Sequence, residues 1–378
     1  MCHIALLVPG LDRIGGAERQ VILLAKGLRR RGWKVSVVAL SGTGGSAAAE
    51  LISAGVSFLS LDMRKGLADP RGWIRFRRWL RSESPALIHS HLSHAAGLAR
   101  WSRLVAPVPL LVDTVHSSST GGLLRRWGYR SSRWLPDRVT AVSQAVADAH
   151  LLAAMVVEKK LIVLPNGVDV VAWQPDAALR IATRRELGLA NEFLWLAAGR
   201  LEPVKDYPTL IRAFAQTPAT ARLVIAGGGP LESELRQLAS AMRLNERVRF
   251  LGFEPDVRRW MQAADGFVLS SRWEGLPMAL LEAASCALPV VATDVPGTRE
   301  VIVDGQTGWL TPAGDDCALA AAMTRTMQTP PEERRAMGDR ARQRAIQRFS
   351  LEAVLDRWES LYSGLLKRDG SHGTGAAS

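Results

Sequence analysis

Glu274 and Glu282 stand eight residues apart in the run Ser270-Ser271-Arg272-Trp273-Glu274-Gly275-Leu276-Pro277-Met278-Ala279-Leu280-Leu281-Glu282. The apolar stretch 266–270 reads as a strand and Glu274-Gly275 as a turn. A helix is expected from Pro277, because proline suits a first helical turn where its missing N–H has no partner to lose. Ligands of open α/β sheets sit outside the carboxyl ends of strands, and a helix N-terminus there favours a phosphate. In that setting Glu274 suits a sugar hydroxyl and Glu282, about a turn and a half into the helix, suits a ribose diol. The bare spacing is weak, since Glu246 and Glu254 repeat it, but only Glu274 and Glu282 straddle a strand-turn-helix junction.

Gly199-Arg200 follows another strand-like run, and Lys205 comes five residues later. Two cations at a strand end can neutralise a diphosphate leaving group, Arg through a planar fork and Lys as a point charge. Two solvated surface cations are the plainer alternative. Gly227-Gly228-Gly229-Pro230 again follows a strand and precedes a helix, and glycines there let backbone approach a ligand. Glu232 stands where a dinucleotide fingerprint needs its third glycine, which disfavours a nicotinamide-dependent dehydrogenase.

The elements that must position these residues follow from apolar periodicity. Strands are expected at 3–8, 34–40, 56–61, 86–91, 110–116, 139–143 and 161–164, then at 193–198, 222–226, 248–251, 266–270 and 289–293. Amphipathic stretches alternate with them, which predicts parallel sheets covered by helices on both faces. Two successive sets predict two doubly wound, Rossmann-like α/β domains. The reading places an N-terminal domain at 1–168, a proline- and glycine-punctuated hinge at 169–190 and a C-terminal domain at 191–349. A last helix over 350–367, with Ser350 as its N-cap, and a disordered tail over 368–378 complete it.

With 378 residues, 47% hydrophobic and 22% charged, the chain has ordinary globular composition, which excludes collagen, coiled coil and wholesale disorder. Cys2, Cys286 and Cys317 lie far apart, so a disulfide framework and a cysteine-rich zinc site are not expected. His89, His91 and His94 have no convincing ligand spacing, and no metal is expected. No run of about 18 apolar residues is present, and residues 4–8 end at Pro9 without a basic flank, so they read as a strand and not a leader. Residues 1–168 carry 23 Lys+Arg against 10 Asp+Glu, whereas 169–378 carry 25 against 26. The whole excess of +12 thus belongs to the first half, which suggests a polyanionic partner there.

As an ordered set these motifs resemble the retaining glycosyltransferases of the GT-B fold, in the large nucleotide-sugar-dependent family four. The second half carries the likeness through Gly199-Arg200 with Lys205, the glycines at 227–229, Glu274-Gly275-Leu276-Pro277 with Glu282, and Pro296-Gly297 with Glu300. The first half matches more loosely, through Gly15-Gly16-Ala17-Glu18, His116 and Pro165-Asn166-Gly167. The likeness covers residues 3–365. It implies two domains facing across a cleft, with the C-terminal helix crossing back to the first. It also implies that Arg200 and Lys205 hold the donor diphosphate, Glu274 the donor sugar and Glu282 the ribose. Gly15, Gly16, Gly199, Gly227, Gly229, Gly275, Leu276 and Pro277 would complete the donor site, with His116 near the reacting centre. The implied mechanism is front-face retention, in which the acceptor hydroxyl attacks from the side the nucleoside diphosphate leaves, with UDP the expected nucleotide and no cofactor. Gly228 and the serines 117–119 depart from common family residues, which leaves the donor sugar open.

The family's N-terminal domain holds the acceptor, and here it holds the excess charge. Trp73, Arg75, Phe76, Arg78 and Trp79 lie in one basic-aromatic stretch, and Arg126 and Arg130 in another that contains Trp127, Tyr129 and Trp134. Such stretches suit an anionic membrane surface, although a core-packed helix with a solvated basic face has the same pattern. The expected acceptor is a polyprenyl-linked saccharide in polysaccharide or lipopolysaccharide synthesis, at the inner face of the cytoplasmic membrane. A soluble polyol or glucan acceptor and a degenerate scaffold acting as a binding protein are the alternatives. No helix-turn-helix or RNA-binding signature is present, so nucleic acid is not an expected partner.

Overall fold

Seven apolar runs of the first half pair into one wholly parallel sheet, buried on both faces. Its strands are β1 (His3–Val8), β2 (Lys34–Ala39), β3 (Ser57–Ser60), β4 (Leu87–His91), β5 (Leu110–Val115), β6 (Arg138–Ala141) and β7 (Leu161–Val163). Their order is β3-β2-β1-β4-β5-β6-β7. The computed structural model describes residues 2–64, 69–106, 108–119 and 121–372. One face is covered by helices Gly16–Arg30 and Leu351–His372, through Leu24, Leu28, Leu355, Trp358 and Tyr362. Helices Pro70–Glu83 and Ser93–Ser102 cover the other, through Phe76, Leu80 and Leu98.

A second parallel sheet holds β8 (Phe193–Ala198), β9 (Ala221–Ala226), β10 (Val248–Gly252), β11 (Gly266–Leu269), β12 (Val290–Thr293) and β13 (Gly308–Thr311). Its order is β10-β9-β8-β11-β12-β13. β13 is a sixth strand beyond the five expected. The chain divides after Gly167, and Val168–Ser350 form the second unit. Gln20 fixes that point with both ends of its amide: Nε2 donates to the Gly167 carbonyl at 2.5 Å, and Oε1 accepts from its N–H at 2.8 Å.

Two boundaries differ from the sequence reading. The stretch 169–190 is not all hinge, because helix Ala177–Glu186 belongs to the second unit, where Arg180 and Arg184 both reach the Asp265 carboxylate. The helical pattern after Pro331 is interrupted at Ser350, whose ψ of 143° leaves the helical region, where the sequence reading places the cap of the last helix. The last helix, Leu351–His372, then returns to the first unit and runs past residue 367 into the expected tail. Residues 373–378 lie outside the described residues. Among the described residues no helix is long and apolar enough to cross a membrane.

Candidate functional site

In each sheet the strand order reverses beside the first strand, between β1 and β4 and between β8 and β11. Loops leaving the carboxyl ends there diverge to opposite faces and open a crevice, the usual ligand position in doubly wound sheets. In the second unit Lys205 follows β8 and Glu274 follows β11, so they come to this crevice from its two sides. Lys205 Nζ lies 2.5 Å from Glu274 Oε1. Ser271 Oγ donates to the same oxygen at 2.6 Å. Glu274 is 9% exposed, and its Oε2 has no protein donor among the described residues, which leaves that atom to accept from a ligand hydroxyl.

The loops that carry the pair are clipped together. The Arg272 N–H donates to the Val204 carbonyl at 2.8 Å, Ser270 Oγ to the Lys205 carbonyl at 2.8 Å, and Arg272 Nε to Asp206 Oδ2 at 3.1 Å. Thr293 Oγ1 donates to the Ser271 carbonyl at 2.5 Å, and Thr298 Oγ1 to the Thr293 carbonyl at 2.6 Å. Gly297 packs directly beneath this turn: a Cβ there would meet the carbonyl oxygens of Glu274 and Gly275 at 2.7 Å. Gly227 has φ +150° and passes so close to Gly199 that a Cβ would lie 1.9 Å from the Gly199 oxygen. Gly229 completes that turn, and the Leu201 N–H donates to the Gly228 carbonyl at 3.0 Å.

Arg200 sits at the end of β8 with a 69% exposed side chain, 2.8 Å from Glu202 Oε1. Tyr207 donates to the Gly199 carbonyl at 3.1 Å, and burial, with Glu274 nearby, pushes its hydroxyl well above the ordinary range. Gly275, Leu276 and Pro277 are buried in the turn. Pro277 is the N-cap and not the first helical residue, with the helix over Met278–Ser285 and Glu282 half-buried on it. The second unit thus gathers Gly199, Arg200, Lys205, Gly227, Gly229, Glu274, Gly275, Leu276, Pro277 and Glu282 at one sheet edge. Sequence reasoning missed Asp206, Ser271, Thr293 and Thr298, which hold the loops in place and carry no spacing signal.

The first unit has its own polar edge. Gly15 caps helix Gly16–Arg30 after β1, its N–H donating to Glu18 Oε2 at 3.0 Å. His116 follows β5, and its Nε2 lies 3.0 Å from His91 Nδ1 at the end of β4. His89, behind them, bonds Tyr362 and Thr114, each at 2.6 Å. His94 is exposed and takes no part, and no metal-binding cluster occurs among the described residues. Burial lowers the His116 imidazole to about 4, and burial with its histidine neighbours holds His89 and His91 well below their ordinary value.

The neutral His91–His116 pair shares one proton across its contact. Of the two outer nitrogens, His91 Nε2 and His116 Nδ1, one is therefore a donor and the other an acceptor. Both are buried without a protein partner among the described residues. Both rings line a cavity of about 20 Å³ with Gln20, Thr114, Asn166 and Trp358, enough for one water or hydroxyl group. Unfolded histidine protonates near 6.5, while folded His116 refuses the proton down to about 4. Stability from this cluster is complete above pH 6.5 and falls as pH drops toward 4. The melting temperature should fall across that window, and His91→Gln/His116→Gln should flatten the decline in a calorimetric pH series.

The two basic-aromatic stretches separate. Phe76 is 1% exposed in the core, where Trp79 stacks on it and Trp73 packs alongside. Arg75 turns back to the Leu61 carbonyl at 2.8 Å and to Asp62 at 3.3 Å, while Arg78 stays in solvent. The aromatics of helix Pro70–Glu83 are thus not a membrane face: the sheet takes them first, because its outer surface needs apolar cover. Arg126 and Arg130, on helix Leu123–Ser132, remain exposed.

Residues 180–344 match the family described as glycosyl transferases group 1, and residues 14–171 match glycosyltransferase family 4. The chain is 30% identical over 380 residues to a phosphatidyl-myo-inositol mannosyltransferase of Mycobacterium leprae, covering 95% of this chain and 96% of that protein. It is 27% identical over 311 residues to a UDP-Gal:alpha-D-GlcNAc-diphosphoundecaprenol alpha-1,3-galactosyltransferase of Escherichia coli, covering 78% and 80%. Among solved structures, Anabaena Alr3699/HepE in complex with UDP-glucose superposes with a TM-score of 0.83 at 25% identity, covering 95% and 99%.

Proposed function

We propose, since this chain belongs to the group 1 glycosyl transferases of the GT-B fold, that it moves a hexose or N-acetylhexosamine from a UDP-sugar to a lipid-linked saccharide, with retention at the anomeric carbon. The observation that carries the donor half is the Lys205–Glu274 pair astride the β8/β11 switch point, framed by the glycine loops after β8 and β9. In this reading Arg200 and Lys205 take the diphosphate, so its charge is met without a resident metal or cofactor. Glu274 offers Oε2 to a donor-sugar hydroxyl, and Glu282 takes the ribose. The leaving phosphate oxygen accepts the proton of the attacking hydroxyl, so no separate base is needed.

Support for the acceptor comes from the relatives' names, one on an undecaprenyl diphosphate saccharide and one on a phosphatidylinositol, and from the basic first half. An acceptor of that kind would place the enzyme peripherally at the inner face of the cytoplasmic membrane, in polysaccharide or lipopolysaccharide synthesis. The test is transfer from UDP-galactose, UDP-glucose and UDP-N-acetylglucosamine to a short-chain polyprenyl diphosphate N-acetylglucosamine, with the new linkage read by proton NMR. The expected product keeps the donor's α configuration. A β-linked product would reject retention, and transfer to free saccharides alone would reject the lipid-linked acceptor.

A further inference from the structure

Helix Leu123–Ser132 presents a surface that its own unit does not use. Leu123, Leu124 and Trp127 are 84%, 88% and 69% exposed. Single exposed leucines are ordinary, but three large apolar side chains within five residues of one helix form a patch. The chain has no carboxylate between Asp113 and Asp137, while that interval holds Arg125, Arg126, Arg130 and Arg133. Among the described residues no salt bridge reaches Arg125, Arg126 or Arg130. A shallow depression joins the two features, lined by Leu123, Arg126, Trp127, Arg130, Ser131 and Arg133.

The helix is fixed from its opposite side. Tyr129 and Ser132 are buried, and Arg100 reaches the Tyr129 carbonyl at 3.4 Å and Ser132 Oγ at 3.2 Å. The Arg100 guanidinium also stacks 4.4 Å from the Tyr129 ring centre. The apolar end cannot roll inward without breaking these contacts, so its exposure is built into the fold.

We infer that helix Leu123–Ser132 is the element that lies on an anionic lipid surface, with Leu123, Leu124 and Trp127 entering the headgroup–acyl boundary and Arg125, Arg126 and Arg130 pairing with lipid phosphates. The inference rests on the membrane reading of the acceptor and names the part of the chain that meets the bilayer. Charge complementarity selects an anionic partner, and the leucines select lipid among anionic partners. A nucleic acid or acidic protein would satisfy the arginines and leave the leucines in water. A lipid surface uses both, since insertion of apolar side chains and attraction of basic ones act together.

The experiment is flotation of the full chain with phosphatidylcholine vesicles, with and without phosphatidylglycerol, at low and high salt. Wild type should float with the anionic vesicles, less so at high salt. Leu123→Glu/Leu124→Glu/Trp127→Glu should weaken that binding by more than about tenfold, and Arg125→Gln/Arg126→Gln/Arg130→Gln should remove the preference for phosphatidylglycerol. Arg77→Gln/Arg78→Gln, on helix Pro70–Glu83, should float like wild type. Retained UDP binding checks that each variant is folded. Wild-type flotation unchanged in both helix variants would overturn the assignment to this helix and leave the membrane reading standing. No flotation of wild type on either vesicle would overturn both.

Discussion

If Lys205 holds the donor diphosphate as proposed, Lys205→Ala should lower kcat/KM for sugar transfer by about 100-fold, with most of the loss in kcat. A charge-assisted hydrogen bond is worth about 1.5–3 kcal/mol, which converts to about 10- to 150-fold in rate. Negative charge grows on the departing diphosphate as the glycosidic bond breaks, so a fixed cation beside it stabilises the transition state more than the bound donor. The substitution also strips Glu274 of its 2.5 Å ion-pair partner and leaves Ser271 as its side-chain donor among the described residues. Two effects then fall on one loop pair: weaker diphosphate neutralisation and a carboxylate free to swing from the sugar. Steady-state kinetics with saturating acceptor check the split, and a kcat within twofold of wild type would remove Lys205 from the reaction.

Arg100→Ala destabilises the protein by about 3–5 kcal/mol, a large part of the roughly 5–15 kcal/mol that holds a typical protein together. Arg100 and Asp113 are each 1% exposed, and Arg100 Nε meets Asp113 Oδ2 at 2.5 Å. Removing the guanidinium strands the Asp113 carboxylate in the core with Ser90 as its donor. It also frees Tyr129 and Ser132 and so loosens helix Leu123–Ser132. Arg100→Met/Asp113→Leu leaves no buried charge unpaired and should cost less than Arg100→Ala alone. Urea unfolding of the three proteins checks both statements, and equal midpoints for wild type and Arg100→Ala would contradict them.

Most of the fold was legible because strands buried on both faces read as unbroken apolar runs. Twelve of the thirteen strands among the described residues stood out this way, with ends within a residue or two. β13 did not, since Gly308-Trp309-Leu310-Thr311 is four residues with only two large apolar side chains. The break at Ser350 was legible because a serine there suits a helix N-cap. The gathering of residues at the second sheet's carboxyl edge was legible because its glycines, cations and carboxylates sit next to strand ends in sequence.

The rest is decided by contacts between distant residues. His91 and His116 meet because β4 and β5 are neighbours with His91 opposite Thr114, a register that neither strand states alone. Ser271 and Thr293 look like any loop hydroxyls until the turn folds over them. Helix Pro70–Glu83 shows why an amphipathic period does not name its partner: it fixes which residues share a face, and the uncovered sheet then claimed Phe76 and Trp79. Leu123 and Leu124 gave no period of their own beside Gly121 and Gly122, so their exposure appeared only with the fold.

The central claim is that the second unit's switch-point edge holds the nucleoside diphosphate of the donor. Calorimetric titration of UDP, GDP and ADP into wild type and Arg200→Ala/Lys205→Ala tests it most directly. The account predicts that wild type binds UDP in preference to the other two, and that the folded double variant loses that binding. Undiminished UDP binding by the double variant, or no nucleotide binding by folded wild type, would contradict it.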